Sequence, residues 1–325
     1  MHPLTPYGWS DRVGALAADA APAEVGRVVR VDAGRTLVAC ADGVLAYPTT
    51  PDATAGDWVT VADGRVTGIL PRWSALVRRG ADGRPQVLAA DVDLVLVVAS
   101  LDRALNANRI ERELVLAWDS GAVPVVVLTK SDLAGSAPVE QPRVVGADVV
   151  VTSVVTGEGI DDVRSRLRPD RTAVLLGPSG VGKSALANAL VGSDDLATGA
   201  VRAGDGRGRH TTTARDLVPV PGGGALVDTP GIRSVGLCEG GEGLALAFPD
   251  VEELAVQCRF RDCRHAGEPG CAVAGGVEPD RLANWHKLER ETTADTRRND
   301  PQVRAAHLRE VKTVERPMRR HDKRH

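Results

Sequence analysis

The run Thr172-Ala-Val-Leu-Leu-Gly-Pro-Ser-Gly-Val-Gly-Lys-Ser184, continued by Ala185-Leu-Ala-Asn-Ala-Leu190, decides the architecture of this chain. An apolar strand pattern ends in Gly177-Pro-Ser-Gly-Val-Gly-Lys-Ser184, which fits G-x-x-x-x-G-K-[ST], and a helical pattern begins at once. That succession of strand, loop and helix is the context a phosphate-binding loop requires. Glycines let backbone N–H groups converge on phosphate oxygens, and the helix N-terminus adds its positive end. Lys183 neutralises phosphate charge and the Ser184 hydroxyl is a ligand for Mg2+.

Outward from this loop, apolar runs alternate with helical patterns: strands at 93–99, 123–128, 148–152 and 172–176, helices at 107–119, 160–167 and 183–191. The alternation predicts a parallel sheet flanked by helices between about Val92 and Gly236. Downstream, Ala225-Leu-Val-Asp-Thr-Pro-Gly231 places Asp228 to hold Mg2+ through water and the Gly231 amide to sense a γ-phosphate. Upstream, Thr129-Lys-Ser-Asp132 closes the strand at Val123–Leu128. A carboxylate there accepts hydrogen bonds from the N1–H and 2-amino groups of guanine, for which adenine has no matching donors. The bland alternative is a helix N-cap supplied by Ser131 or Asp132. Backbone amides around Thr152–Val154, in Val151-Thr-Ser-Val-Val-Thr-Gly-Glu-Gly159, are a second candidate contact to the base.

The order of these motifs is informative. Base-reading residues at 129–132 and 152–154 precede the phosphate loop at 177–184, the reverse of an ordinary GTPase, so the chain reads as a circular permutation. Permutation preserves a sheet when the domain termini lie close together.

The flanks read differently. Residues 1–23, rich in Ala and Pro without a period, predict a loosely held arm. Glu24 to about Arg72 holds short β-rich runs separated by Asp/Gly turns, which predicts a small OB-type barrel that either binds RNA or braces its neighbour. Beyond Glu239, the spacing Cys258-x4-Cys263-x-His265-x5-Cys271 offers three thiolates and an imidazole, a closed tetrahedral Zn2+ set that is structural rather than catalytic. Cys40 and Cys238 read as small apolar residues.

Composition bounds the rest. The chain has 325 residues, 43% hydrophobic and 26% charged, enough for two or three folded domains and far from a disordered or membrane composition. Its longest apolar runs fall well short of the about 20 residues that span a bilayer, and no secretory leader is visible, so a cytoplasmic protein is expected. Net charge is −3, yet residues 281–325 hold 13 Lys/Arg against 7 Asp/Glu. A basic tail on an acidic body suits either a nucleic-acid contact or a solvated helical face.

Taken together, Leu-Thr-Lys-Ser-Asp132, the phosphate loop, Gly208-Arg-His-Thr-Thr-Thr213, Asp228-Thr-Pro-Gly-Ile-Arg233 and the Cys258–Cys271 cluster resemble one family. It is that of the circularly permuted GTPases of small ribosomal subunit biogenesis, whose bacterial type is RsgA. The resemblance covers about Glu24 to Glu291. It implies a multidomain α/β chain: flexible arm 1–23, OB-type β-barrel 24–75, circularly permuted P-loop GTPase domain 76–237, and a helical zinc-binding module with a basic tail at 238–325. It implies a monomer that hydrolyses GTP to GDP and phosphate, stimulated by the 30S subunit, which it contacts through 16S rRNA, with no membrane partner. The nucleotide would lie on Thr129, Lys130, Ser131, Asp132, Thr152 and Ser153, on Gly177, Pro178, Ser179, Gly180, Val181, Gly182, Lys183, Ser184 and Ala185, and on Asp228 and Gly231. Mg2+ would be held by Ser184, Thr212 and Asp228.

Two departures stand out. Thr129 replaces the usual Asn, removing an amide that ties the base loop to its neighbours, and Thr152-Ser153 replaces Ser-Ala. Ile232 occupies the place of a water-orienting glutamine, so intrinsic hydrolysis is expected to be slow and His210 is the candidate to orient the water, with Lys183 and Thr212 as its catalytic companions. The permuted order also runs from Arg233 into the zinc module within about 25 residues, which predicts that γ-phosphate loss reorients that module. A GTP-dependent binding module with incidental turnover, and an ATP-dependent small-molecule kinase, are the alternatives.

Overall fold

The computed structural model describes residues 2–79, 85–134, 146–192, 216–228 and 242–299. The first segment holds helix α1 (Asp11–Asp19) and five strands, β1 (Glu24–Asp32), β2 (Arg35–Cys40), β3 (Gly43–Pro48), β4 (Trp58–Ala62) and β5 (Arg65–Ile69). These strands pair antiparallel in the order β3-β2-β1-β4-β5, a three-stranded meander to which β4 returns beside β1, as in the Greek-key barrel of the OB type. Alternate residues Val28, Val38, Cys40, Tyr47, Val59 and Val61 fill its interior. A hairpin of β6 (Ala75–Arg79) and β7 (Pro85–Ala90) follows.

The second unit strings β8 (Leu94–Ser100), α2 (Ala107–Asp119), β9 (Val123–Thr129), β10 (Asp148–Val151), α3 (Ile160–Arg166), β11 (Thr172–Leu176), α4 (Lys183–Val191), β12 (Asp216–Pro219) and β13 (Ala225–Asp228) along the chain. In space the order is β10-β9-β8-β11-β13-β12, parallel except for β12. The strand that precedes the phosphate loop, β11, therefore lies between β8, which pairs on its other side with the strand closed by Thr129-Lys-Ser-Asp132, and β13, which ends in Asp228. Permutation has changed the order of the chain and kept the sheet.

Period-2 alternation explains the burial on both faces. Leu94, Leu96, Val98, Val125, Val127, Ala173 and Leu175 pack under α3 and α4. Val95, Val97, Val126, Leu128, Val174 and Val227 face α2 and the C-terminal helices. Those helices are α5 (Glu242–Ala247), α6 (Pro249–Ala255), α7 (Ala272–Gly276) and α8 (Pro279–Asn299). Their attachment is partly polar: Arg281 donates to both Asp250 and Glu111, and Asn284 Nδ2 donates to Glu111 Oε2 at 2.6 Å, fixing α8 on α2.

The arm expected over residues 1–23 is packed, which corrects that reading. Ser10 accepts a hydrogen bond from Val13 N and caps α1, and Leu4 and Val13 are wholly buried. Trp9 lies edge-on to Trp58 with ring centroids 5.5 Å apart. The apolar residues responsible are spread over a turn and a short helix, so no period announces them. The barrel and the sheet meet at Arg27, whose fully buried guanidinium donates to Tyr7 O, Asp91 O and Thr172 Oγ1. Burial there pushes the Asp91 carboxyl up to about 7 and draws Arg27 down to about 10. Among the described residues, no helix is long and apolar enough to cross a membrane.

Candidate nucleotide site and metal cluster

In a parallel sheet all carboxyl ends lie on one edge, and that edge is where ligands bind. Registers Ser100↔Thr129, Leu128↔Val151 and Val97↔Leu176 bring the ends of β8, β9, β10 and β11 together. Thr129, Thr152, Ser153 and Gly177, 48 residues apart in the chain at their extremes, thus become neighbours.

The phosphate loop owes its path to three glycines with positive φ: Gly177 (+147°), Gly180 (+83°) and Gly182 (+94°). At Gly177 a Cβ would stand 2.4 Å from Val98 O, so the loop leaves β11 in contact with the backbone of β8. The loop's carbonyls are tethered one by one. Lys183 Nζ donates to Gly177 O (2.8 Å) and Pro178 O (2.7 Å), Lys130 Nζ to Gly180 O (2.8 Å), and Thr129 Oγ1 to Val181 O. In a planar trans peptide the C=O and the next N–H are antiparallel. Holding the carbonyls of Gly180 and Val181 outward therefore directs the amides of Val181 and Gly182 the other way, as an anion cradle needs. Ser184 and Ala185 are exposed on the first turn of α4, and Ser179 is exposed at the loop tip.

The tether from Thr129 changes the sequence expectation. Its hydroxyl reaches both Val181 O and Ala99 O (3.2 Å), so the base loop is tied to the phosphate loop without the amide of an asparagine.

The base-reading side is built around Asp132, exposed in a single 3-10 turn, Ser131–Leu133. Ser153 Oγ accepts from Val155 N (3.2 Å) and Thr156 N (3.2 Å), which fills its lone pairs and leaves its O–H to donate to Asp132 Oδ1. Thr152 plays another part. Its amide donates to Leu128 O (2.7 Å), its carbonyl accepts from Ser131 N (3.1 Å), and its side chain is fully buried. Ser153 N is engaged by Glu158 O at 3.0 Å. Of the three amides read from the sequence, Val154's is the one with no hydrogen-bond partner among the described residues. Ser131 Oγ donates to Glu158 Oε2 at 2.6 Å and closes the loop from behind.

One contact had no sequence signal: Asp102, two residues past β8, accepts from Lys130 Nζ (2.6 Å), Ser100 Oγ (2.7 Å) and Arg103 Nε (3.1 Å). The Lys130 hydrogen bond, with those of Ser100 and Arg103, holds the Asp102 carboxyl well below the usual carboxylate range. Asp228 closes β13. His210, Thr212, Gly231, Ile232 and the connection from Arg233 to Cys238 lie outside the described residues.

Cys258, Cys263, His265 and Cys271 meet in one cluster, their ligand atoms all within 4.8 Å of one another. Cys258 Sγ and Cys271 Sγ are each 3.6 Å from His265 Nδ1 and 3.9 Å apart. A tetrahedral Zn2+ with bonds of about 2.3 Å to sulfur and about 2.0 Å to nitrogen has edges of about 3.8 and 3.5 Å, so the donor set fits. His265 adopts φ +59° to aim Nδ1 inward, and its carbonyl oxygen lies 3.2 Å from His286 Nε2 on α8. Glu268 accepts from Arg264 N and Ala266 N and shapes the loop between the last two ligands.

This arrangement has counterparts. The RsgA GTPase family model matches residues 69–238. The small ribosomal subunit biogenesis GTPase RsgA of Streptomyces coelicolor is 45% identical over 95% of this chain and 92% of its own length. That of Streptomyces avermitilis is also 45% identical, over 94% and 90%. Among solved structures, YjeQ from Thermotoga maritima aligns with a TM-score of 0.63 and 26% identity, covering 83% of this chain and 98% of that one. YloQ, a circularly permuted GTPase, shares the fold with a TM-score of 0.59 over 84% of this chain. With its phosphate loop, displaced base-reading motif and permuted sheet, the chain belongs to the RsgA GTPase family.

Proposed function

We propose that this chain is a GTPase that binds the 30S ribosomal subunit, assists its late maturation, and hydrolyses GTP to GDP and phosphate when the subunit stimulates it. The observation that carries the reading is the placement of Asp132, oriented by Ser153, beside a phosphate loop whose carbonyls Thr129 and Lys130 tether. A lone carboxylate selects guanine while the amides and Lys183 grip the polyphosphate. The names of its relatives supply the small subunit as partner, and 16S rRNA is the contact that a basic tail suits. The protein acts as a cytoplasmic monomer in this reading. The division at 24–75, 76–237 and 238–325 into barrel, nucleotide domain and metal module belongs to the same proposal.

Within it, Ser184, Asp228 and Thr212 would hold Mg2+, which neutralises phosphate charge when bound. Cys258, Cys263, His265 and Cys271 would hold one structural Zn2+. His210 orients the attacking water, because Ile232 has no group to do so.

Calorimetry with GTP and ATP, and turnover with and without purified 30S subunits, test the reading. GTP should bind and ATP should not, and subunits should raise turnover. His210→Ala should keep GTP binding and lose the stimulation. Equal uptake of the two nucleotides rejects a guanine site, and turnover indifferent to subunits favours a binding module whose hydrolysis is incidental.

A further inference from the structure

Three loops converge on the Lys130 ammonium: the β8–α2 loop through Asp102, the base-reading loop that carries Lys130, and the phosphate loop through Gly180 O. Lys130 stands at φ +61°, a conformation an L side chain adopts only when its surroundings hold it there. Its long stem has many rotamers, and its charge would be drawn toward any polyphosphate in the cradle. Something must keep the ammonium on the outer side of the loop. Both oxygens of Asp102 are engaged, Oδ2 by Lys130 and Oδ1 by Ser100 and Arg103, so the carboxylate cannot rotate away. The side chains of Lys130 and Asp102 are 28% and 23% exposed and their contact lies at the surface, so solvent screens the pair and its geometry, more than its charge, holds the ammonium.

We propose that Asp102 is a positioning residue for nucleotide binding: it fixes the Lys130 ammonium on the Gly180 carbonyl and so sets the Val181 amide for the polyphosphate. It acts through the backbone and touches neither the base nor the reacting phosphate. The proposal rests on the reading of the 129–132 and 177–184 loops as a guanine-nucleotide site. It concerns affinity alone, because base choice belongs to Asp132.

The test is a double-mutant cycle in the full-length protein, with GDP titrated by calorimetry and melting temperature as the check on folding. Asp102→Asn, nearly isosteric, should weaken GDP about tenfold, between the effects of an exposed ion pair and of a charge-assisted hydrogen bond. The preference for GDP over ADP should be unchanged, and the KM for GTP should rise while kcat stays within about twofold. In a Lys130→Ala background the same substitution should change nothing, because its route to the loop is gone. Asp102→Ser provides a second truncation with the same expected pattern. Equal losses in both backgrounds, or unaltered affinity when Asp102→Asn is made in the protein that retains Lys130, overturn the role. A shifted GDP/ADP preference would place Asp102 at the base and also overturn it. Absence of GDP binding by the parent protein would sink the guanine-site reading itself.

Discussion

The phosphate loop and the metal cluster solve the same problem, holding a short irregular backbone, by opposite means. The loop is organised by its own protein: Lys183, Lys130 and Thr129 each hold separate carbonyls, and Gly177 rests on the backbone of β8. The cluster's loop is held more sparsely, by ties between Glu268 and the amides of Arg264 and Ala266, from Arg259 N to Gly270 O and between His265 O and His286. Its four donors are aimed at one point, and the residues between them are largely exposed, including Arg259, Phe260, Arg261 and Asp262. A cradle of tethers should exist before its ligand arrives, whereas a knot of thiols should form only around an ion.

The largest effect expected from that contrast is on the cluster. Structural Zn2+ contributes about 10–16 kcal/mol of apparent binding energy in small modules. Chelation, or Cys271→Ser, should abolish hydrogen-exchange protection across 258–277 while leaving GDP affinity unchanged, since α8 keeps its own attachment to α2 through Arg281 and Asn284. Loss of nucleotide binding on chelation would show that the two regions are not independent.

Next in size is Gly177→Ala. The new Cβ meets Val98 O at 2.4 Å, and the positive φ adds strain, so the loop must pull away from β8. About 2–3 kcal/mol of stability should be lost in a thermal melt, with GDP affinity falling alongside. A variant of unchanged stability would mean that the junction yields, and that the cradle is less preformed than its tethers suggest.

Much of this was legible in the sequence because period and punctuation coincide in the permuted domain. The strands at 94–100, 123–129 and 172–176 and the helices at 107–119 and 183–191 fall within a residue of the pattern. Four Cys/His positions within 14 residues likewise leave few geometries. The β6–β7 hairpin was not legible, since Ala75-Leu-Val-Arg-Arg79 has no clean alternation, and β12, four residues long, carries too short a pattern. Within the site, motif residues announce themselves, while Asp102 and the engagement of the Thr152 and Ser153 amides do not. Those depend on which amides the sheet has already engaged, and that follows from three-dimensional register rather than from residue type.

The smallest expected effect discriminates most finely between the two regions. Thr129→Val keeps the shape of the side chain and removes one hydroxyl donor, leaving Val181 O without that partner. A neutral hydrogen bond contributes about 1 kcal/mol, so GDP should bind roughly fivefold more weakly, and Thr129→Ser should restore it. The loss is partial because Lys130 and Lys183 still hold the neighbouring carbonyls. In the cluster no such gradation is available: three ligands leave the ion with an open position, and the fold of the knuckle depends on all four. A Thr129→Val protein that lost nucleotide altogether would show that the phosphate loop, too, depends on a single contact, and the distinction between a tethered cradle and an ion-built knot would disappear.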